Sequence, residues 1–217
     1  MVRQNVVNRS IGASMKSSIA GVILAGGRST RMGREKALME LAGEPVVGRV
    51  IGRLAPQVAR VILNANGDAA RFEAFGLPVI ADRPTKGNDA PGPLAGVLAA
   101  LTWAKPEGFT HIATTPADAP FLPDDLVARL AEGLAPDEVA MAQSETGLEP
   151  MFALWPVVAL PILEKRFAAG ERAPRRLIRD LKHRIVTFET DPAMPDPFFN
   201  LNRPDDIAAA EFWIKGW

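Results

Sequence analysis

The chain lacks several features that would indicate particular classes of protein. It contains no cysteine among its 217 residues, which excludes disulfides, thiolate metal ligands and a cysteine nucleophile, and fits a reducing cytoplasm. No apolar run is long enough to span a membrane. The 25 Lys and Arg residues balance 25 Asp and Glu residues, so the excess positive charge on which nucleic-acid binders rely is missing. We therefore expect a cytoplasmic protein with no nucleic-acid or membrane partner.

The length fits one α/β domain, which we assign to residues 19–217. Residues 1–18 carry three basic residues and no acid, and they have no apolar signal-peptide core. We expect this extension to be disordered and outside the fold. A start codon assigned too early, with Met15 as the true start, explains it better than a basic targeting peptide.

A glycine-rich basic loop follows the first predicted strand. The apolar run from Ile19 to Ala25 is typical of a parallel strand that is buried on both faces. Close backbone approach and positive charge then come from Gly26, Gly27, Gly33, Arg28, Arg31, Arg34 and Lys36. Such a loop can bind polyphosphate. It contains neither a Walker A motif nor the G-x-G-x-x-G dinucleotide fingerprint, so it belongs to another type of phosphate loop.

Polar side chains end three of the later predicted strands. Asn64, Asp82 and Asp118 each follow an apolar stretch, and open α/β sheets bind ligands at the carboxyl ends of their strands. Asn64 offers both a donor and an acceptor to a purine edge, although asparagines also end strands as turn residues, the role we assign to Asn66. Asp118 suits Mg²⁺, which prefers oxygen ligands and accompanies phosphates. Asp124 is better placed to cap the following helix.

These stretches resemble a known enzyme family. Leu24-Ala25-Gly26-Gly27 with Arg31, Gly33 and Lys36 resembles the signature of sugar-phosphate-type nucleotidyltransferases, and the paired glycines resemble the molybdenum cofactor guanylyltransferase family in particular. Further family-like motifs are Gly92-Pro93-Leu94-Ala95-Gly96, Pro116-Ala117-Asp118-Ala119-Pro120 and Asn200-Leu201-Asn202. The resemblance covers essentially everything after Ser18. It departs at Glu35, where the family often has Asp.

The resemblance implies a fold and a reaction. The fold would be an α/β, Rossmann-like three-layer sandwich with a mostly parallel central sheet, like the nucleotide-diphospho-sugar transferases. The reaction would transfer GMP from GTP to the terminal phosphate of molybdenum-molybdopterin, with Mg²⁺ as cofactor and pyrophosphate as the second product. We expect a monomer that makes transient contact with molybdoenzymes or cofactor-insertion proteins.

The resemblance also implies roles for individual residues. Lys36, Asp118 and Arg31 would be catalytic, with Mg²⁺ on Asp118. Substrate contacts would come from Leu24, Ala25, Gly26, Gly27, Lys36, Asn64, Asp82, Gly92, Asp118, Arg172, Asn200 and Asn202. Within that set Arg172 and the two C-terminal asparagines lie toward the pterin. Arg175, Arg176 or a simple solvated helix face are alternatives for Arg172.

Two other functions remain open at this point. One is a related nucleotidyltransferase, either a cytidylyltransferase for the same cofactor or a sugar-phosphate enzyme, because one fold hosts several activities. The other is a non-catalytic nucleotide- or cofactor-binding adaptor. Retention of Lys36, Asp82 and Asp118 argues against the adaptor.

Overall fold

The structure is a computed structural model, and it describes residues 13–26, 36–85, 92–191 and 193–216. Its strands are β1 (Ile19–Leu24), β2 (Glu40–Leu41), β3 (Glu44–Pro45), β4 (Arg60–Asn64), β5 (Val79–Ile80), β6 (His111–Pro116), β7 (Val139–Ser144), β8 (Gly147–Pro156) and β9 (His183–Thr187). Its α-helices are α1 (Ala13–Lys16), α2 (Val46–Leu54), α3 (Gly92–Ala104), α4 (Leu126–Ala131), α5 (Leu160–Ala168), α6 (Pro174–Leu177) and α7 (Pro204–Lys215). Within these described ranges, no helix is both long and apolar enough to cross a membrane.

The central sheet has the strand order β5-β4-β1-β6-β8-β7-β9 over the described residues. Each neighbouring pair is parallel except the two pairs that involve β8, which runs against β6 and β7. The expected mostly parallel sheet is therefore confirmed. Because parallel strands share a direction, the segments that follow β1, β4, β5 and β6 all emerge at one edge of the sheet.

Helices cover both faces of the sheet. Ile19 and Ile23 of β1 pack on one face with the apolar residues of α2 and α4. Ala20 and Val22, which alternate with them, pack on the other face with α3 and α5. This division follows from the two-residue period of a strand, and it explains why β1 is apolar on both sides. The three-layer arrangement agrees with the expected fold class.

Several predicted boundaries change. Residues 13–18, assigned to a disordered extension, instead form α1 and a turn, with Met15 packed against the core. β5 has only two residues and ends before Asp82. The edge of the sheet on the other side is formed by β9, which pairs with β7. Asp124 does not cap α4, since its carboxylate accepts a hydrogen bond from Arg53 Nη1 at 3.1 Å.

Candidate active site

Lys36, Asp118 and Asn202 meet at the carboxyl edge of the sheet. Lys36 Nζ donates to Asn202 Oδ1 at 2.9 Å and lies 3.8 Å from Asp118 Oδ2. The lysine and asparagine are 166 positions apart in sequence, and the aspartate follows β6 in the middle of the sheet. We call these three residues the lysine cluster. The structure thus brings together three of the residues that the sequence predicts for the site.

Backbone contacts hold the lysine cluster in place. The Leu201 N–H donates to the Asp118 carbonyl at 2.9 Å, which joins the C-terminal segment to the end of β6. The N–H groups of Asn202 and Arg203 both donate to one oxygen of Asp206, at 2.6 and 2.7 Å. Asp206 lies in the first turn of α7, so the helix fixes the segment that carries Asn202.

Charge in the lysine cluster is partly shielded from water. The Lys36 and Asp118 side chains are 18% and 23% exposed. Burial raises the pKa of the Asp118 carboxyl, and the positive charge of Lys36 opposes that rise. An additional cation near the carboxylate would favour its charged form further.

The cluster has the donor atoms that a magnesium ion needs. Asp118 and Asn202 supply carboxylate and amide oxygens, the ligand type that Mg²⁺ prefers. Across the described residues, no group of three or more His, Cys, Asp or Glu side chains gathers to enclose a metal. Mg²⁺ can be bound through one or two carboxylates together with water and substrate phosphates, and Asp118 could serve as such a carboxylate.

A second group lies at the ends of β1, β4 and β5. Asp82 Oδ2 accepts a hydrogen bond from Asn66 Nδ2 at 2.6 Å, and the Asp82 N–H donates to Asn66 Oδ1 at 3.0 Å. A Cβ atom built on Gly26 would lie 3.3 Å from both carboxylate oxygens of Asp82. We call Gly26, Asn66 and Asp82 the aspartate clamp. It places Asp82 beside the start of the glycine-rich loop.

Asn64, at the end of β4, is buried. The residue is 1% exposed, and its Nδ2 donates to the Ile80 carbonyl at 3.3 Å. A Cβ atom on Gly96 of α3 would collide with its Oδ1. In this conformation Asn64 supports β5 and does not face the cleft, so its role as a base reader stays a prediction that requires the side chain to move.

Gly92 and Arg172 contact each other at the start of α3. Gly92 has φ +64°, and a Cβ atom there would lie 3.0 Å from the Arg172 carbonyl oxygen. Arg172 Nη1 donates to the Phe167 and Glu171 carbonyls, at 2.7 and 3.0 Å, and its guanidinium lies over the Phe167 ring. These contacts are structural, and the predicted contact with a pterin phosphate stays a prediction. Arg175 and Arg176, named as alternatives, are exposed on α6.

The remaining predicted residues divide into three groups. Leu24 and Ala25 end β1, where the Ala25 N–H donates to the Asn64 carbonyl and the Leu24 carbonyl accepts from Ala117. Asn200 Nδ2 donates to the Phe198 carbonyl at 3.0 Å, while its buried Oδ1 has no hydrogen-bond partner among the described residues. Gly27 and Arg31 lie outside the described residues.

Two residues with a clear structural part in the site were missed. Asn66 is predicted only as a turn residue, and its contact with Asp82 depends on where β5 ends. Asp206 was not singled out because its contribution depends on where α7 begins. Neither contact follows from motif letters alone.

Lys36 and the strand-end carboxylate of Asp118 lie at the carboxyl edge of a mostly parallel sheet, which is where open α/β proteins, including nucleotide-binding ones, bind their ligands. The model of the MobA-like NTP transferase domain matches residues 21–185. The chain belongs to this family of nucleotidyltransferases.

Curated relatives and solved structures agree with that assignment. The chain is 49% identical over 193 residues to the molybdenum cofactor guanylyltransferase of Rhodobacter capsulatus, covering 89% of this chain and 95% of the relative. It is 46% identical over 209 residues to the protein of the same name from Rhizobium leguminosarum bv. trifolii, covering 92% and 95%. A solved structure of molybdopterin-guanine dinucleotide biosynthesis protein A from Archaeoglobus fulgidus has a TM-score of 0.70 at 23% identity, covering 91% and 100%, and shares the fold.

Proposed function

We propose that the protein transfers GMP from GTP to the terminal phosphate of molybdenum-molybdopterin, giving molybdopterin guanine dinucleotide and pyrophosphate. The observation that carries this proposal is the meeting of Lys36, Asp118 and Asn202 at the sheet edge where β1 delivers the glycine-rich loop. The relatives named molybdenum cofactor guanylyltransferase support the choice of both substrates.

The reaction needs little acid–base chemistry from the protein. The attacking phosphate monoester has a second pKa of about 6, so it is already largely ionised near neutral pH. One of its oxygens forms a bond to the α-phosphorus of GTP, the bond between the α-phosphorus and the bridging oxygen breaks, and pyrophosphate leaves with that electron pair. The protein must therefore bring two anions together and stabilise the charge on the leaving group.

The lysine cluster suits that electrostatic task. Lys36 supplies a positive charge in a partly dry environment, where it stabilises phosphate oxygens more strongly than it would in water. Asp118, with Asn202 beside it, would hold Mg²⁺, which when bound supplies further positive charge at the phosphates. Arg31 belongs to the same proposal as a second cation of the phosphate loop.

The two sides of the cleft then take different substrates. We assign the nucleotide to the side of Leu24, Ala25, Gly26, Gly27, Asn64, Asp82 and Gly92, and the pterin to the side of Arg172, Asn200 and Asn202. The sheet supports this division for most of these residues, since β1, β4 and β5 lie at one end of it and Leu201, between the two asparagines, bonds to Asp118 after β6. Gly92 and Arg172, which contact each other, would lie where the two sides meet. The product must reach a molybdoenzyme. We therefore also propose that the protein is a cytoplasmic monomer that passes the dinucleotide on through transient contacts.

Mass spectrometry of the pterin product tests the proposal. The purified protein is incubated with molybdenum-molybdopterin, Mg²⁺ and either GTP or CTP. We expect a guanine dinucleotide from GTP and no product from CTP. A cytosine dinucleotide would retain the reaction class and overturn the base assignment, and no product from either nucleotide would favour the binding adaptor. Omitting Mg²⁺, or replacing it with Mn²⁺, tests the metal.

A further inference from the structure

The side chain of Asn66 makes two hydrogen bonds to Asp82. β4 and β5 pair in parallel register, with Leu63 opposite Val79 and Asn64 opposite Ile80, and the backbone ladder stops there. The two residues of each of these pairs are 16 positions apart in sequence, and so are Asn66 and Asp82, which are joined through the Asn66 side chain. Asn66 therefore pairs with Asp82 in the same register as β4 and β5, but through its side-chain amide and beyond the last backbone hydrogen bond between the strands.

The two hydrogen bonds constrain both the backbone and the carboxylate of Asp82. Asn66 Oδ1 accepts from the Asp82 N–H, and Asn66 Nδ2 donates to Oδ2 of the same residue. Gly26 closes the other side, since its ideal Cβ position lies 3.3 Å from each carboxylate oxygen. The amide bonds Oδ2 and not Oδ1, so Oδ1 is the oxygen that we assign to a ligand.

The Asn66 backbone is itself held by the turn that follows. Arg71 donates to the Asn66 carbonyl at 2.5 Å and to the Asp68 carbonyl at 3.0 Å. The Asp68 side chain caps the 3-10 helix Ala69–Phe75 by accepting from the Ala70 N–H. Because these contacts fix the turn without touching Asp82, the Asn66 amide is presented to the carboxylate in a set position.

We propose that Asn66 is a positioning residue for nucleotide binding, which acts by holding the Asp82 carboxylate ready to accept a hydrogen bond from the nucleoside part of GTP. This inference rests on the proposed function, in which Asp82 lies on the nucleotide side. Because Asn66 holds the Asp82 carboxylate in place before GTP binds, binding does not cost the entropy of ordering that carboxylate. The Asn66 side chain should therefore contribute to affinity for GTP and not to the chemical step.

The test combines two positions in a double-mutant cycle. Wild type, Asn66→Ala, Asp82→Ala and the double variant are titrated with GTP and Mg²⁺ in a calorimeter, without pterin. We expect Asn66→Ala to raise the Kd for GTP about tenfold, the size that follows from misplacing one hydrogen bond to a charged group. In the Asp82→Ala background the same change should alter Kd less than about twofold, because no carboxylate remains to be held.

Two further variants and a kinetic readout separate positioning from general damage. Asn66→Asp keeps the side-chain shape but replaces the donor by a second carboxylate, so it should weaken GTP binding at least as much as alanine does. Asp137→Ala removes a carboxylate at the other edge of the sheet, where Asp137 pairs with Lys182 beside β9, and should leave Kd within about twofold of wild type. In steady state, Asn66→Ala should raise KM for GTP and leave kcat within about threefold.

Failure of this inference differs from failure of the proposed function. If wild type binds GTP and Asn66→Ala binds equally well, or loses the same factor with and without Asp82, the positioning role is overturned. Absence of GTP binding by wild type would overturn the proposed function instead. In that case urea unfolding of the same four proteins still decides whether Asn66 and Asp82 are coupled. If they are, Asn66→Ala should lower the urea concentration at the unfolding midpoint less in the Asp82→Ala background than in wild type.

Discussion

The aspartate clamp and the lysine cluster lie on one edge of the sheet but are assembled differently. Asp82 is held by a residue 16 positions away, through contacts that continue the register of two adjacent strands. Lys36 and Asn202 are 166 positions apart and meet only because the C-terminal segment crosses the end of β6. The aspartate clamp is therefore positioned by the sheet itself, whereas the lysine cluster depends on the packing of a remote segment.

This difference predicts which changes reduce chemistry and which reduce binding. Under the proposed function, substitutions of Lys36 or Asp118 change the charge beside the reacting phosphates and should lower kcat. Substitutions in the aspartate clamp should act on KM for GTP. Changes in the layer beneath the clamp, or at the opposite end of β6, should alter stability more than either kinetic constant.

Asp118→Asn should have the largest effect. The substitution keeps the size of the side chain but removes the charge that would hold the metal, so kcat should fall on the order of a thousandfold or more while the fold is retained. Pyrophosphate release with GTP and pterin measures it, and a thermal melt checks folding. Asp124→Asn is the control, since that side chain is 78% exposed and pairs with Arg53 on the surface. Near-normal activity of Asp118→Asn would refute the metal assignment.

Lys36→Ala should follow, with a loss of about a hundredfold in kcat, because the side chain lies between Asp118 and Asn202. Arg28→Ala should lose no more than about fivefold, since the family motif fixes the lysine and leaves the earlier position variable. The same pyrophosphate assay compares the two. Equal losses would indicate a diffuse basic patch in place of one placed cation.

The sequence was sufficient to predict the buried parallel strands and the edge of the sheet at which Asp82 and Asp118 lie. The apolar run of β1 predicts burial on both faces, and residues placed at strand ends, such as Asp82 and Asp118, do lie at the carboxyl edge. The contact between Lys36 and Asn202 was not predictable, because it depends on the path of a segment far away in sequence. The burial of Asn64 was equally hidden, since it depends on how closely α3 approaches β4 at Gly96.

Gly96→Ala tests that close approach through stability. Its methyl group would meet the Asn64 amide oxygen and a Leu24 methyl group, so we expect the free energy of unfolding to fall by about 2 kcal/mol. Gly52→Ala in α2 is a matched control: a Cβ atom there meets nothing within 4 Å, and the helix should gain about 0.5–1 kcal/mol. Urea unfolding measures both. Equal stability of Gly96→Ala and wild type would show that α3 can move away from Asn64.

The smallest effect concerns His111, which begins β6 at the end opposite to Asp118. Burial lowers the pKa of His111, so the unfolded chain, with a pKa of about 6.5, binds the proton more readily than the folded protein does. The free energy of unfolding should therefore decrease as pH falls from 7.5 through 6.5, and His111→Gln should lose that part of the slope. Urea unfolding at pH 7.5, 6.5 and 5.5 measures it.

Comparison of wild type with His111→Gln isolates that part of the slope. An unchanged slope in His111→Gln would contradict the assignment. At pH 7.5 His111→Gln should retain kcat within about twofold. His111 lies at the amino end of β6, and the length of this strand separates it from the lysine cluster at the carboxyl end.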